Sequence, residues 1–169
     1  LNDFMEQNPD DIFPNVFLEL SGTIEKMLNE KPAIYVEDFY RDSLLKLRRN
    51  VLNSDGTNNI NKTDLTAIYK KKNIPAHLCS TGEQKSLLLS IVLSQARYLL
   101  ATKGFPPILL LDEVAAHLDE NKKQALLTKI EELKTQTWLT TTNLSDFSDL
   151  NEKAHFFQIK DNTVTEQLG

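Results

Sequence analysis

Two adjacent carboxylates, Asp112 and Glu113, directly follow the apolar run ILLL at residues 108–111. Such a run predicts a strand buried on both faces, and ligands of open α/β sheets bind outside the carboxyl ends of the strands. Adjacent residues of an extended chain point to opposite sides, so the two acids can do different work. In nucleotide-hydrolysing enzymes one acid holds Mg²⁺, and the next orients or deprotonates the attacking water. The competing interpretation is an acidic turn that caps the following helix.

A polar turn, CSTGEQK at residues 79–85, opens a long apolar segment upstream of the two acids. Ser80 and Glu83 have the spacing of a capping box, which predicts a well-formed helix start. A helix N-terminus also presents N–H groups and a positive dipole end to anions. Gly82 permits close approach of the backbone, Ser80 adds a hydroxyl, and Lys85 adds a positive charge. The turn is therefore a helix cap, a phosphate site, or both.

Periodicity predicts the elements that position these residues. We expect strands at 16–22, 63–69 and 137–141, helices at 37–53, 82–102 and 120–134, and a hairpin at 154–167. Gly104 and the following prolines end the second helix, and Asp161–Asn162 forms the hairpin turn. Helices alternate with strands from residue 82 onward, which is typical of a parallel α/β sheet. Trp138 opens a strand and is expected in the core.

Composition limits the class of protein. The 169 residues are 40% hydrophobic and 25% charged, which is typical of a globular protein with one core, or one core and a smaller lobe. The net charge of −5 argues against a uniformly basic surface, although it allows a local nucleic-acid patch. One cysteine, no apolar run of membrane-spanning length and no signal peptide indicate a cytoplasmic protein without a membrane partner. The chain starts at Leu1 rather than Met, which suggests a fragment.

The remaining candidate sites are weaker. No ligand-like spacing links the three histidines and the single cysteine, His77, His117, His155 and Cys79. We therefore expect no zinc site and a packed, unreactive cysteine. A triad of Ser80, His117 and Asp112 lacks a nucleophile elbow. Two basic clusters, at 46–49 and 70–72, could contact DNA phosphates, but solvated surface is the simpler interpretation for each.

Two longer motifs carry a resemblance to a known family. The segments STGEQK (80–85) and LLLDEVAAHLD (109–119) resemble the signature motif, Walker B strand and D-loop of an ABC-type ATPase head. Within that superfamily they are most similar to the RecF family of DNA replication and repair proteins, relatives of the SMC and Rad50 heads. The segments TWLTTTN (137–143) and HFFQI (155–159) share this resemblance, which is weaker at FPNVFLELSG (13–22).

The resemblance implies roles for the residues after the two C-terminal strands. Asp112 stands at the Walker B aspartate, a Mg²⁺ ligand, and Glu113 stands at the catalytic glutamate. Asp119 falls on the D-loop aspartate, which lies across the dimer seam. Thr142 stands where many ABC proteins have a switch histidine, so a histidine sensor is not expected here.

The resemblance also implies that the turn before the long helix contacts ATP. Ser80, Thr81, Gly82 and Glu83 stand in the signature motif, which grips the γ-phosphate bound by the opposite subunit, and Lys85 follows them. Thr81 replaces the first glycine of the general ABC pattern.

Two further departures from the family pattern are visible. Asn61 and Lys62 stand where relatives tend to have a Gly-x-His-Arg-type turn, so a role for that turn is not implied here. A G-x-x-x-x-G-K-[ST] phosphate loop (Walker A) does not occur in the sequence. RecF-type heads carry that loop near the N-terminus, upstream of an inserted lobe. The resemblance therefore implies the C-terminal part of a longer protein, with residues 1–75 ending the inserted lobe and residues 76–169 forming half of the ATPase lobe.

The expected fold class is α/β, the signature and Walker B half of an ABC-type head. A parallel sheet flanked by helices would be preceded by part of an inserted α+β lobe. The resemblance implies a cytoplasmic DNA repair protein that acts in replication, recombination and the SOS response. It would bind ATP and Mg²⁺, form an ATP-dependent homodimer, and act on single-stranded or gapped DNA with recombination mediator proteins.

Two alternatives remain open. One is the ATPase subunit of an ABC transporter, although such heads usually have proline where this chain has Val114. The other is a degenerate dimerisation module that does not hydrolyse ATP. We expect ATPase activity only when the missing Walker A lobe is supplied, and the fragment alone is expected to be inactive.

Overall fold

The computed structural model describes residues 1–49, 63–143, 146–147, 150 and 153–167. The helices are α1 (Asn2–Gln7), α2 (Thr23–Glu30), α3 (Ala33–Arg49), α4 (Thr81–Lys103) and α5 (Glu120–Leu133). The strands are β1 (Val16–Ser21), β2 (Asp64–Tyr69), β3 (Ile74–Pro75), β4 (Leu109–Leu111), β5 (Thr137–Leu139), β6 (Phe156–Lys160) and β7 (Thr163–Gln167). Two short 3₁₀ helices occupy Ala76–Leu78 and Val114–His117. The chain divides into two compact units, Leu1–Ile91 and Val92–Gly169.

An antiparallel sheet organises the first unit. Its strands lie in the order β1–β2–β3, and Val16 pairs with Tyr69 at one end of the β1–β2 ladder. Val16, Cys79 and Leu87 form a buried cluster beneath it. The prediction that Cys79 is packed is therefore confirmed, because its side chain contributes to a hydrophobic core.

The predicted strands and helix of this unit are observed. β1 and β2 match the expected strands at 16–22 and 63–69 within one residue at each end. α3 begins at Ala33, earlier than the expected residue 37, because the Pro32 carbonyl already accepts from the Tyr35 and Val36 N–H groups. The expected end of this helix, the turn after it and the Asn61–Lys62 turn lie outside the described residues.

Helix α4 starts and ends close to the predicted positions. It begins at Thr81 and runs to Lys103, where Gly104 adopts a left-handed conformation with φ of 78°. Glycine is favoured at this position after a helix because it has no Cβ to clash. The buried residues of α4 include Ser86, Leu87 and Leu93.

Two parallel strands organise the second unit. β4 pairs with β5, with Leu109 opposite Thr137 and Leu111 opposite Leu139, and α5 connects the two strands. Ala115, Leu127 and Phe147 form a buried cluster in this unit. Because parallel neighbours require a crossover connection, the predicted helix–strand alternation is confirmed as a parallel α/β arrangement.

Two expectations about burial were wrong. Leu109 and Leu111 are buried, but Leu110 is 76% exposed, so β4 is buried on one face only. Trp138 pairs with Leu110 in the ladder and is 53% exposed, so it is not a core residue. In the described part of the second unit, only alternate residues of β4, Leu109 and Leu111, belong to the buried hydrophobic core. The Trp138 ring instead stacks on Phe157, with centroids 6.4 Å apart.

The closing hairpin has the predicted turn. Asp161 and Asn162 connect β6 to β7, with φ values of 49° and 58°. A two-residue type I′ turn, which matches the twist of the flanking strands, requires positive φ at both of its central residues. Asn and Asp tolerate this conformation.

The division expected at residue 75 stays a prediction, since a boundary between lobes need not coincide with the boundary between compact units of the chain. Among the described residues, no helix combines the length and apolar character needed to cross a bilayer.

Candidate functional site

The turn that precedes α4 is built as a reciprocal cap. The Ser80 N–H donates to Glu83 Oε2 at 3.2 Å, and the Glu83 N–H donates to Ser80 Oγ at 3.4 Å. This is the capping box that the spacing predicts, so that part of the sequence analysis is confirmed. Ser80 and Thr81 are exposed at the helix mouth, and Lys85 lies one turn further and is partly buried.

An ion pair fixes the Glu83 carboxylate from the other side. Lys72 Nζ lies 2.5 Å from Glu83 Oε1. This bond, with the Ser80 N–H adding to it, holds the pKa of Glu83 below its ordinary value. The same contact raises the pKa of Lys72. Glu83 therefore stays ionised and is committed to contacts within the first unit.

Gln84 makes two structural hydrogen bonds that the sequence analysis did not predict. Its Nε2 donates to the Cys79 carbonyl at 3.0 Å and to the His77 carbonyl at 3.3 Å. The side chain thereby ties the first turn of α4 to the loop before it. A glutamine next to a capping glutamate was the available signal, since its two amide protons can satisfy loop carbonyls.

The start of α4 has two backbone N–H groups without a partner within the helix, and open space lies beside Gly82. The Gln84 N–H donates to the Ser80 carbonyl, and the N–H groups of Thr81 and Gly82 precede that bond, so they have no partner within the helix. A Cβ added at Gly82 would meet no atom within 4 Å. No described residue of the first unit therefore requires glycine here, whereas close approach of a ligand to the backbone would.

Asp112 and Glu113 lie at the carboxyl end of β4, as predicted. Both are exposed. Asp112 directly follows the strand, whereas Glu113 has left-handed backbone angles, φ of 46° and ψ of 33°. This conformation is uncommon for a residue with a side chain, and here it turns the chain from β4 into the 3₁₀ helix Val114–His117.

Thr140, at the end of β5, joins the two acids, and the sequence analysis did not identify it. Its hydroxyl lies 2.5 Å from Asp112 Oδ1 and 2.9 Å from the Glu113 nitrogen. The register places Leu111 opposite Leu139, so the next residues, Asp112 and Thr140, emerge side by side. The available signal was a threonine directly after the neighbouring parallel strand.

Asp119 is the N-cap of α5. Its Oδ1 accepts from the Lys122 N–H at 2.9 Å, and this bond is the main reason that the pKa of Asp119 lies below its ordinary value. The side chain is exposed. A structural role as a cap is therefore clear, and the D-loop role stays a prediction.

A second network lies after β5. Thr141 Oγ1 donates to Asp146 Oδ2 at 2.9 Å, and Lys123 Nζ of α5 donates to Asp146 Oδ1 at 2.8 Å. The Lys123 and Asp146 side chains are only 12% and 16% exposed. Thr142, the residue expected at the switch position, is exposed beside this network.

The predicted site residues thus fall into two groups. Ser80 to Lys85 lie in the first unit, and Asp112, Glu113, Asp119 and Thr142 lie in the second. Within the second unit the structure brings Asp112 and Glu113 together through Thr140.

The basic cluster at 70–72 is partly neutralised within the chain. Lys70 pairs with Glu6, and Lys72 pairs with Glu83. These pairs agree with the simpler interpretation of this cluster as surface. Among the described residues, no group of three or more His, Cys, Asp or Glu side chains has the arrangement of a metal site.

Comparison with known proteins gives the following relationships. No family model matches the chain. The chain is 41% identical over 153 residues to the DNA replication and repair protein RecF of Mesorhizobium japonicum, a match that covers 90% of this chain and 40% of that protein. It is 37% identical over 162 residues to RecF of Rickettsia rickettsii, covering 93% of this chain and 44% of that protein.

Solved structures give the same relationship at the level of the fold. The chain superposes on the recombination mediator protein RecF-ATPrS of the RecFOR pathway with a TM-score of 0.60 and 19% identity, covering 98% of this chain and 42% of the other. The RecF-ATP structure gives a TM-score of 0.57 at 17% identity, covering 98% and 43%. The expected ABC-type α/β fold class is therefore confirmed.

The chain spans about two-fifths of the length of the curated relatives that it matches. The resemblance that the motifs carry is thus confirmed by sequence and by fold: over about nine-tenths of its length, this chain is homologous to the RecF family of DNA replication and repair proteins.

Proposed function

We propose that this chain supplies the signature motif and the acidic residues of the ATPase head of a RecF-type DNA repair protein. The head hydrolyses ATP between two subunits. The observation that carries this proposal is the arrangement of Asp112, Glu113 and Thr140 at the carboxyl ends of two parallel strands. Ligands of α/β sheets bind at that edge.

The residues present fit a magnesium ion held in the manner of nucleotide-binding sites. Mg²⁺ is usually bound by one or two carboxylates together with waters and substrate phosphates, not by a cage of protein side chains. Asp112 is an exposed carboxylate, and among the described residues its one hydrogen bond is from Thr140 to Oδ1, which leaves Oδ2 for a cation. A bound Mg²⁺ would neutralise part of the negative charge of the phosphates. Asp112 is the residue that would hold it.

Glu113 is the proposed general base. Its backbone is left-handed rather than extended, so the chain turns directly after Asp112. The side chain is exposed, and the described ion pairs of the second unit do not use it. An exposed, unengaged carboxylate beside a metal-binding aspartate can orient water and accept its proton.

The mouth of α4 is the proposed contact to the γ-phosphate bound by the partner subunit. The amides of Thr81 and Gly82, the Ser80 hydroxyl and the Lys85 ammonium are all donors suited to an oxyanion. The space above Gly82 allows a phosphate to approach the backbone. In this arrangement Asp119 and Thr142 lie near the dimer seam.

The remaining parts of the proposal follow from the relatives. Their name, DNA replication and repair protein, supports DNA as the substrate surface, and the solved RecF structures support a place in recombination with mediator proteins. SOS involvement, binding of gapped DNA and a cytoplasmic location belong to the same proposal.

The proposal predicts that this chain does not bind ATP tightly by itself. It lacks a phosphate loop, so the α- and β-phosphates have no cradle. We expect no saturable binding in the micromolar range by calorimetry for the 169-residue chain. Micromolar affinity would contradict the proposed division of the site.

A chimaera provides the positive arm of this experiment. In it, this chain replaces the matching segment of Mesorhizobium japonicum RecF. The chimaera should bind ATP and dimerise with it. An Asp112→Asn chimaera should need more Mg²⁺ for nucleotide binding, because the proposed ligand loses its negative charge. A chimaera that binds ATP but never dimerises would contradict the proposed ATPase between two subunits, and it would also contradict the alternative of a dimerisation module.

A further inference from the structure

The Thr140 hydroxyl has a single arrangement that satisfies both of its contacts. A threonine hydroxyl has one proton to donate and two lone pairs to accept with. The Glu113 N–H can only donate, so the hydroxyl accepts there and gives its own proton to Asp112 Oδ1. The two bonds therefore reinforce one orientation of the hydroxyl, and they join a carboxylate to the peptide of the next residue.

The backbone of Thr140 is held independently of its side chain. Its N–H donates to the Leu111 carbonyl at 3.1 Å, which extends the β4–β5 ladder by one residue. The hydroxyl is thus presented beside Asp112 by the sheet, and removal of the hydroxyl leaves that placement intact.

The second contact acts on a strained residue. Glu113 has φ of 46°, a conformation that side-chain-bearing residues adopt at an energetic disadvantage. The bond from its N–H to Thr140 Oγ1 holds the peptide in that conformation. Without it, nothing described in the second unit accepts from the Glu113 N–H.

We propose that Thr140 is a positioning residue that sets Asp112 for the cation and Glu113 for water by holding both through one hydroxyl. This inference rests on the proposed function, because it assigns how the two acids acquire separate roles. The proposed role of Thr140 is indirect. It acts through the carboxylate orientation of one acid and the backbone conformation of the other.

The first test uses the chain itself and is independent of ATP hydrolysis. Amide hydrogen exchange at Glu113 should accelerate by up to about tenfold in Thr140→Val, which removes the hydroxyl but keeps the shape. Thr140→Ser should restore protection. Thr137→Val is the matched control on the same strand, because within the described part of the chain that hydroxyl bonds only to the Thr135 carbonyl, at 3.4 Å. Unchanged exchange in Thr140→Val would overturn the proposed contact.

The second test uses the chimaera. Thr140→Val should lower kcat by about 10- to 100-fold and raise the Mg²⁺ concentration needed for nucleotide binding, and Thr140→Ser should recover most of both. Thr137→Val should change neither. Parental kcat and Mg²⁺ dependence in Thr140→Val would overturn this inference. If instead Glu113→Gln hydrolyses ATP at the parental rate, the proposed function fails, and the exchange experiment still decides the role of Thr140 in the fold.

Discussion

Lys123 Nζ donates to Asp146 Oδ1 at 2.8 Å and thereby links helix α5 to the segment that follows β5. The two side chains are only 12% and 16% exposed, in contrast to the surface pair Lys153–Glu131 at 62% and 50%. Thr141 completes the pair by donating to the second carboxylate oxygen of Asp146. Helix α5 and the segment after β5 are thus joined by one charged network.

This network predicts an acid-sensitive part of the stability. The Lys123 contact, with the Thr141 hydroxyl adding to it, holds the pKa of Asp146 below its ordinary value. A depressed pKa means that the stabilisation is present above the aspartate range and is lost as pH falls through the folded-state pKa. Asp146→Asn should therefore destabilise the chain at pH 7, and the difference from wild type should shrink as pH falls below about 5.

Urea unfolding of both chains at pH 7, 5 and 3 measures that difference. Asp42→Asn, at an exposed position on α3, is the control and should show little change at any pH. A stability difference for Asp146→Asn that is the same at all three pH values would show that the ion pair is not its cause.

A substitution at Gly82 should affect the stability of the chain and the ATP-dependent dimerisation of the chimaera in opposite directions. An added Cβ meets nothing within 4 Å, so Gly82→Ala should raise the free energy of unfolding of the chain by up to about 1 kcal/mol. In the chimaera the same methyl group would occupy the approach to the Thr81 and Gly82 amides. ATP-dependent dimerisation should weaken, as measured by sedimentation.

Gly104→Ala is the matched control for that experiment. Gly104 has φ of 78°, so the substitution should destabilise the chain while ATP-dependent dimerisation remains. If Gly82→Ala dimerises like the parent chimaera, the open space above this glycine does not serve a phosphate.

Ser80 tests whether the helix mouth is more than a cap. If it contacts the partner's γ-phosphate, Ser80→Arg should abolish ATP-driven dimerisation of the chimaera while each monomer still binds nucleotide. A cap alone predicts a loss of about 1 kcal/mol in stability with dimerisation intact. Sedimentation with and without ATP distinguishes these results, and Thr102→Arg, at an exposed position near the end of α4, controls for the added charge.

Local features of the fold could be predicted because short-range rules decide them. The Ser80–Glu83 box, the Gly104 helix end and the Asp161–Asn162 turn each depend on residues within a few positions of one another. The helix α5 between two apolar segments likewise predicted parallel strands. These features need no knowledge of the rest of the molecule.

Features that depend on distant packing could not be predicted. Four consecutive apolar residues at 108–111 predict a strand but not which faces are covered, and Leu110 and Trp138 share an exposed face. The contact of Thr140 with Glu113 joins residues 27 apart in sequence and requires the strand register. The contacts of Thr140 and of the Lys123–Asp146 pair therefore emerged only from the structure.

Glu113 is the proposed base of an ATPase shared between two subunits. Glu113→Gln keeps the side-chain volume but removes the group that accepts a proton from water, a contribution of about 10²- to 10⁴-fold. We expect the Glu113→Gln chimaera to bind ATP like the parent, to hydrolyse it at least about 100-fold more slowly, and to accumulate as an ATP-bound dimer that stays longer on gapped DNA. The decisive measurement is single-turnover hydrolysis alongside dimer lifetime. Hydrolysis at the parental rate would make Glu113 a structural acid and would contradict the account.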